Sequence, residues 1–325
     1  MHIVQVTKDS KIPLMGHIAF GIIDRGSSLI QVRPTSLCNL SCTFCSTDAG
    51  PQSTTHKTGY VVDPDYLIEE VRKVVEKKGK THINIDSVGE PASYPPLVKI
   101  VEAFHAMPNV YFISMQSNGT YFTNELIDAL ETAGLNRIHL SVHTTNAEQA
   151  KALMGDSSYD HNKTMKAAER INNSSIELLF APVVLPGVNE GEVEKLIQVA
   201  KQWKCKIGIQ KYEGYKYSRK MKGVKRESYY QFYKRLKQWE EKYDIQLVYH
   251  AKDLEIQQSP ALEKTGDIGE RINTPILSEG WFAGQKIAAH KQRAITVNNC
   301  DAQPGDRINL RVIENKNNIY LAEAC

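Results

Sequence analysis

Cys38-Asn39-Leu40-Ser41-Cys42-Thr43-Phe44-Cys45 places three thiols within eight residues, spaced CxxxCxxC, with an aromatic ring directly before the third. Thiolates this close together on a loop can bind three irons of a [4Fe–4S] cluster. A structural cluster or zinc site wants four protein ligands. A run supplying three leaves one iron open, which suits a site that must bind and reduce a small molecule. A zinc knuckle or three reduced structural thiols are the plainer readings of the same spacing.

Around this run the chain has the make-up of a soluble globular protein. It has 325 residues, 41% hydrophobic and 24% charged, with a net charge of +3 and a pI near 8.4. That length suits one α/β domain of roughly 250 residues plus something small. The charge is too mild to name a partner, so any nucleic-acid footprint must be local. No secretory segment opens the chain and no apolar run reaches about 18 residues, so the expectation is a cytoplasmic protein with no membrane contact. Clustered cysteines in such a chain favour metal chemistry over disulfides. Cys205, Cys300 and Cys325 are widely spaced and read as incidental thiols without a second cluster.

Residues 19–23 and 29–33 read as a hairpin across Asp24-Arg25-Gly26. Strand and helix then alternate. Asp63-Pro64 opens a helix with Leu67, Ile68, Val71, Val74 and Val75 at helical spacing, closed by Gly79. Strands are expected at 82–85, 110–115, 137–142, 176–184, 206–210 and 245–249, with helices between them. Such alternation argues a parallel sheet with right-handed crossovers and chemistry in the loops after the strands. Past Pro275 helical periodicity disappears, and 294–297, 308–313 and 319–322 read as short strands of a small β-barrel. The expected divisions are 1–28, an N-terminal hairpin extension; 29–250, the core; 251–275, a linker; and 276–325, the barrel.

The cysteine run, with Phe44 before its last cysteine, resembles the signature of the radical S-adenosylmethionine (SAM) enzymes. The resemblance continues in the loops. Gly89-Glu90-Pro91 is similar to the family's GGEP text, with Val88 in place of the first glycine; Ser117-Asn118-Gly119-Thr120, Ser141 and Pro186-Gly187-Val188-Asn189 stand where the family carries related text. This implies a partial (β/α)6 barrel, a [4Fe–4S] cluster on Cys38, Cys42 and Cys45, and SAM chelating the open iron. By the same resemblance Gly89 and Glu90 meet the amino group of SAM, Ser117, Asn118 and Ser141 are lesser contacts, Val184 or Leu185 packs against adenine, and Phe44 also faces the cofactor. The implied reaction is reductive cleavage of SAM to a 5′-deoxyadenosyl radical, using an external one-electron reductant of ferredoxin or flavodoxin type. His143 reads either as a pocket residue or as a hydrogen-bonded barrel histidine, and Asn189 as a helix cap.

Lys211, Lys216, Arg219, Lys220, Lys222, Lys225 and Arg226 crowd sixteen residues that also hold Tyr212, Tyr215 and Tyr217. Amines pair with phosphates and tyrosine faces stack on unpaired bases. A charge run can equally be a solvated face. The tail resembles the TRAM domain, an RNA-binding barrel, in Ile295-Thr296-Val297, Gln303-Pro304-Gly305-Asp306-Arg307-Ile308 and Asn318-Ile319-Tyr320-Leu321-Ala322-Glu323. The combination resembles archaeal-type RNA-modifying radical SAM proteins and makes tRNA or another structured RNA the expected substrate. The alternatives are a radical SAM enzyme acting on a peptide or small cofactor precursor, and a non-catalytic zinc-containing RNA-binding protein.

Overall fold

Asp63 and Pro64 start a helix for two separate reasons. The Asp63 carboxylate accepts from the Tyr66 amide at 2.9 Å, and Pro64 occupies the first turn, where no amide hydrogen is needed. The helix Pro64–Lys78 buries Leu67, Val71, Val74 and Val75 along one face and stops at Gly79. Side-chain oxygens of Thr123, Asn146, Asp160 and Ser228 cap four later helices in the same way. The structure, a computed structural model, describes all 325 residues as a mixed α/β chain ending in a closed five-stranded β-barrel. No helix is long and apolar enough to cross a membrane.

The residues group into two compact units, Met1–Leu37 with Thr54–Ile113 and Ile256–Cys325, and Cys38–Ser53 with Ser114–Glu255. In the first, Gly21–Asp24 runs antiparallel to Leu29–Arg33, which lies parallel to Thr81–Ile85. Arg33 pairs with Asp86, just past that strand, with Nε 2.9 Å from Oδ1 and both side chains buried. A further pairing has no forewarning in the sequence: His2–Val6 lies parallel to Thr58–Val62.

The barrel strands are Arg271–Glu279, Lys286–His290, Arg293–Asn298, Arg307–Glu314 and Tyr320–Ala324. Around the wall they run first, second, third, fifth, fourth, and the fourth closes on the first. Third and fifth are parallel; every other pair is antiparallel. Ile272, Ile276, Ile295, Leu310, Val312 and Tyr320 fill the interior, together with Cys300. The barrel is tied to the start of the chain through backbone bonds from Ala294 to Met15 (2.7 Å) and from Tyr320 to Gly16 (2.9 Å).

In the second unit, Ser114–Ser117, Arg137–Leu140, Glu177–Phe180 and Lys206–Ile207 lie side by side and parallel. Two elements differ from the sequence reading. The strand expected over 176–184 is broken at Pro182, which has no amide to give the ladder, and Val183–Val184 pairs instead with Gln210–Lys211. Residues 245–249 form no strand, because Glu240 Oε1 takes the amides of Leu247 (2.7 Å) and Val248 (2.9 Å). A side chain there satisfies donors that a ladder would otherwise need.

His17 carries a testable consequence of this packing. It is buried, stacked on Phe20 at 4.6 Å, and its Nδ1 accepts from the Ala19 amide. Burial, aided by the Arg33 charge, lowers its pKa to about 3. The unfolded chain therefore takes the proton first, so this stability is full above about pH 6.5 and is lost as pH falls toward 3. Between pH 6.5 and 4.5 the wild type is expected to lose about 2 kcal/mol more than His17→Gln, measured by urea unfolding. Equal losses would show that His17 does not titrate this way.

Candidate active site

The last carbonyls of a helix have no partner within it. At the end of the helix Ala147–Met154, two of them receive the cysteine run: Ser41 donates its amide to Met154 (3.1 Å) and Thr43 to Leu153 (2.9 Å). Gly155 follows at φ +63°, and a Cβ there would lie 2.1 Å from the Ser41 carbonyl oxygen. Glycine is what lets the run lie this close to the helix end.

This anchoring packs the side chains between two apolar clusters. Leu40 joins Ala150, Met154 and Tyr159, with Cys38 and Cys42 at the edge. Phe44 joins Leu153, Leu185 and Tyr212, and its ring meets His143 edge-on at 4.8 Å. Cys38, Cys42 and Cys45 are partly buried, and none is in a disulfide. Burial pushes the Cys42 thiol far up; the neighbouring Cys38 and Cys45 thiols add to this, and the nearby Arg219 charge opposes it. All three sulfurs therefore share one neighbourhood. They are neighbours, not a preformed cage for a single ion. The Ala49 amide points at Cys45 Sγ, 3.4 Å away, a donor that suits a thiolate. Three neighbouring soft donors with an amide behind one of them fit an iron–sulfur cluster.

The residues expected to line the pocket are placed as follows. Asn118 donates to Asn39 of the run (3.0 Å), and Asn39 donates to Thr120 (2.9 Å), so the Ser117–Thr120 loop holds the cysteine loop. Ser117 Oγ accepts from Gly119. Ser141 is half-buried and donates its amide to the Ser117 carbonyl (2.8 Å). Val184 is buried. His143 Nδ1 accepts from the Val183 amide at 3.0 Å, and burial lowers its pKa to about 4, so it is a neutral, hydrogen-bonded barrel histidine. Asn189 stands at the N-cap position of the helix Glu190–Trp203, but its side chain makes no capping bond. Its amide group stitches the neighbouring loops instead, accepting from Leu185 (2.7 Å) and donating to His143 (2.9 Å) and Val183 (3.0 Å).

Gly89 and Glu90 lie in the other unit. Glu90 donates its amide to Leu37, the residue before Cys38 in the chain, at 2.7 Å, and its carboxylate accepts from Ala92 at 2.8 Å. A Cβ on Gly89 would lie 2.1 Å from the Leu37 carbonyl oxygen, so the close approach requires glycine.

The basic loop has two faces. Lys211 pairs with Glu213 (2.8 Å), and Arg226 lies against Gly214. Tyr212, Met221 and Val224 pack on the Phe44 cluster. Arg219 turns inward, onto Asp48 and the backbone of the cysteine loop. Lys216, Lys220, Lys222 and Lys225 are exposed. Sequence reading missed the Asp48–Arg219 pair, since nothing local marks two residues so far apart as partners.

Residues 32–200 match the model of the radical SAM superfamily. The chain belongs to that superfamily. The members of this family are enzymes that use a [4Fe–4S] cluster and SAM, and the CxxxCxxC run of this chain is consistent with their signature. An uncharacterised protein of Methanocaldococcus jannaschii is 35% identical over 340 residues, covering 96% of this chain and 78% of its own. The GTP 3′,8-cyclase of Rippkaea orientalis is 28% identical over 173 residues, about half of each chain (51% and 51%). The SAM-bound structure of Streptococcus suis SuiB shares the radical SAM fold, with a TM-score of 0.54 at 16% identity over 66% of this chain and 47% of that one.

The seat of Gly155 makes the anchoring testable. Gly155→Ala forces the Ser41 carbonyl away, and the variant is expected to keep its helical circular dichroism while retaining less than half the wild-type iron after anaerobic reconstitution. Unchanged iron content would mean that the helix end does not set the loop.

Proposed function

We propose that this radical SAM enzyme modifies a nucleoside in structured RNA, above all tRNA, with Cys38, Cys42 and Cys45 holding the cluster and an external ferredoxin- or flavodoxin-type donor reducing it. Phe44, Ser117, Asn118, Ser141 and Val184 are the proposed cofactor-facing residues of their unit. When bound, cluster and SAM supply the one-electron chemistry that activates an inert C–H bond. The residues around them orient the cofactor and exclude water: Phe44, Leu153, Leu185 and Tyr212 form the apolar wall beside the thiols.

The observation carrying the RNA reading is the outer face of residues 215–233. Tyr215, Tyr217, Tyr229, Tyr230 and Tyr233 are all exposed, Tyr230 at 76%. Lys216, Lys220, Lys222 and Lys225 are exposed in the same stretch of chain. Rings left in water beside exposed amines suit bases and phosphates together. The barrel adds support. Its strand order, with third and fifth strands parallel, is that of OB-type barrels, which bind oligonucleotides. Arg271 and Arg311 face each other in register across its ladder, both exposed, with Glu323 in register on the other side of Arg311. A second reading, a free purine nucleotide as substrate, is favoured by the GTP 3′,8-cyclase relatives, of which this chain spans about half.

Anaerobic incubation with SAM, a reductant and tRNA lacking the modification, followed by nucleoside mass spectrometry, is expected to yield a new nucleoside. Product from GTP but none from RNA would favour the second reading. RNA affinity is expected to fall steeply with salt. Changing Lys216, Lys220 and Lys222 to Ala should flatten the logarithmic salt slope by about one unit for each phosphate left unpaired. An unaltered slope would remove this face from RNA binding.

A further inference from the structure

Of seven basic residues in 211–226, one has its whole guanidinium engaged by the cysteine loop. Arg219 Nε lies 2.8 Å from Asp48 Oδ1, with the Arg219 side chain 16% and the Asp48 side chain 4% exposed. Nη1 donates to the Cys42 carbonyl (3.2 Å), and Nη2 to the carbonyls of Ala49 (2.7 Å) and Asp48 (3.4 Å). The Arg219 amide adds a bond to the Cys45 carbonyl (2.9 Å). Asp48 is itself held at φ +55°, a conformation that few side chains adopt, and also accepts from Ser53 Oγ (3.3 Å). One planar fork thus gathers the carbonyls of one cysteine and two residues beyond the next, and its own backbone takes the carbonyl of the second cysteine.

We propose that Arg219 is the positioning residue of the cysteine loop, fixing the backbone from Cys42 to Ala49 and placing a positive charge beside Cys42. This rests on the reading that those thiolates carry the cluster. Two effects separate. The fork geometry orders the loop whether or not metal is bound, because every contact is to protein. The charge favours the cluster state with the extra electron, so it raises the reduction potential. A lysine would keep the charge but cannot reach carboxylate and carbonyls at once.

The test uses the full chain as wild type, Arg219→Lys, Arg219→Gln and the double variant Asp48→Asn/Arg219→Gln, which leaves no unpaired buried charge if the single variant does not fold. In the metal-free proteins, alkylation by iodoacetamide is followed at each cysteine by mass spectrometry. After reconstitution, iron and sulfide content and the midpoint potential by electron paramagnetic resonance are measured. Arg219→Gln is expected to alkylate at Cys42 and Cys45 about tenfold faster, as loss of charged hydrogen bonds permits opening. It should also show a more negative potential. Arg219→Lys should restore the potential while leaving alkylation fast. Wild-type alkylation rates and wild-type potential in both the Gln and the double variant would overturn the proposal. A wild type holding no iron would overturn the cluster reading instead, and the alkylation rates would then decide alone whether Arg219 braces the loop.

Discussion

The placing of the cysteine run depends on a short backbone junction, where the amides of Ser41 and Thr43 meet the terminal carbonyls of the helix Ala147–Met154. An irregular loop has no ladder of its own, so its donors must find partners elsewhere. A helix end offers free carbonyls at a fixed position, and this helix packs in turn on the helix His161–Asn172. The Cys42 thiol then comes to rest 3.6 Å from the Met154 thioether. Thiol placement thus follows from helix placement.

The alternation of strand and helix was legible because each element carries its own periodicity and its own punctuation, as at Asp63, Pro64 and Gly79. What stayed hidden depended on partners distant in the chain. Thr58–Val62 follows the cysteine loop and contains a glycine, and its pairing with His2–Val6, distant in the chain, makes it a strand. The segment 245–249 looked like a strand by composition, yet a single carboxylate took two of its amides. Asn189 had the right residue type for a cap, but stronger demands from three neighbouring backbone groups won.

Within the candidate site the cysteine run was readable because its chemistry is local: residue type and spacing are the signal. The inward turn of Arg219 was not readable, since seven basic residues in one run look alike until the fold supplies Asp48. The same stretch therefore does two things that composition merges. Its inner side chains, Tyr212, Arg219, Met221 and Val224, belong to the packing around the cysteines. The lysines and tyrosines that remain outside form a separate surface.

Burying an ion pair is not by itself a route to stability. The desolvation of both charges cancels most of their attraction, and well-packed apolar residues often do as well. The reason for Asp48 and Arg219 lies in the loop they occupy. Between Cys42 and Ala49 the carbonyls of Cys42 and Cys45 take turn bonds from the Cys45 and Asp48 amides, whereas those of Asp48 and Ala49 take Arg219, and Asp48 sits in the left-handed region. A methionine and a leucine could fill the volume but would leave the carbonyls of Asp48 and Ala49 without these donors. Arginine has enough N–H groups in one plane to serve the carboxylate and three carbonyls at once. The charge is present because the loop's irregular course demands donors, and that course is what gathers three thiols in one place.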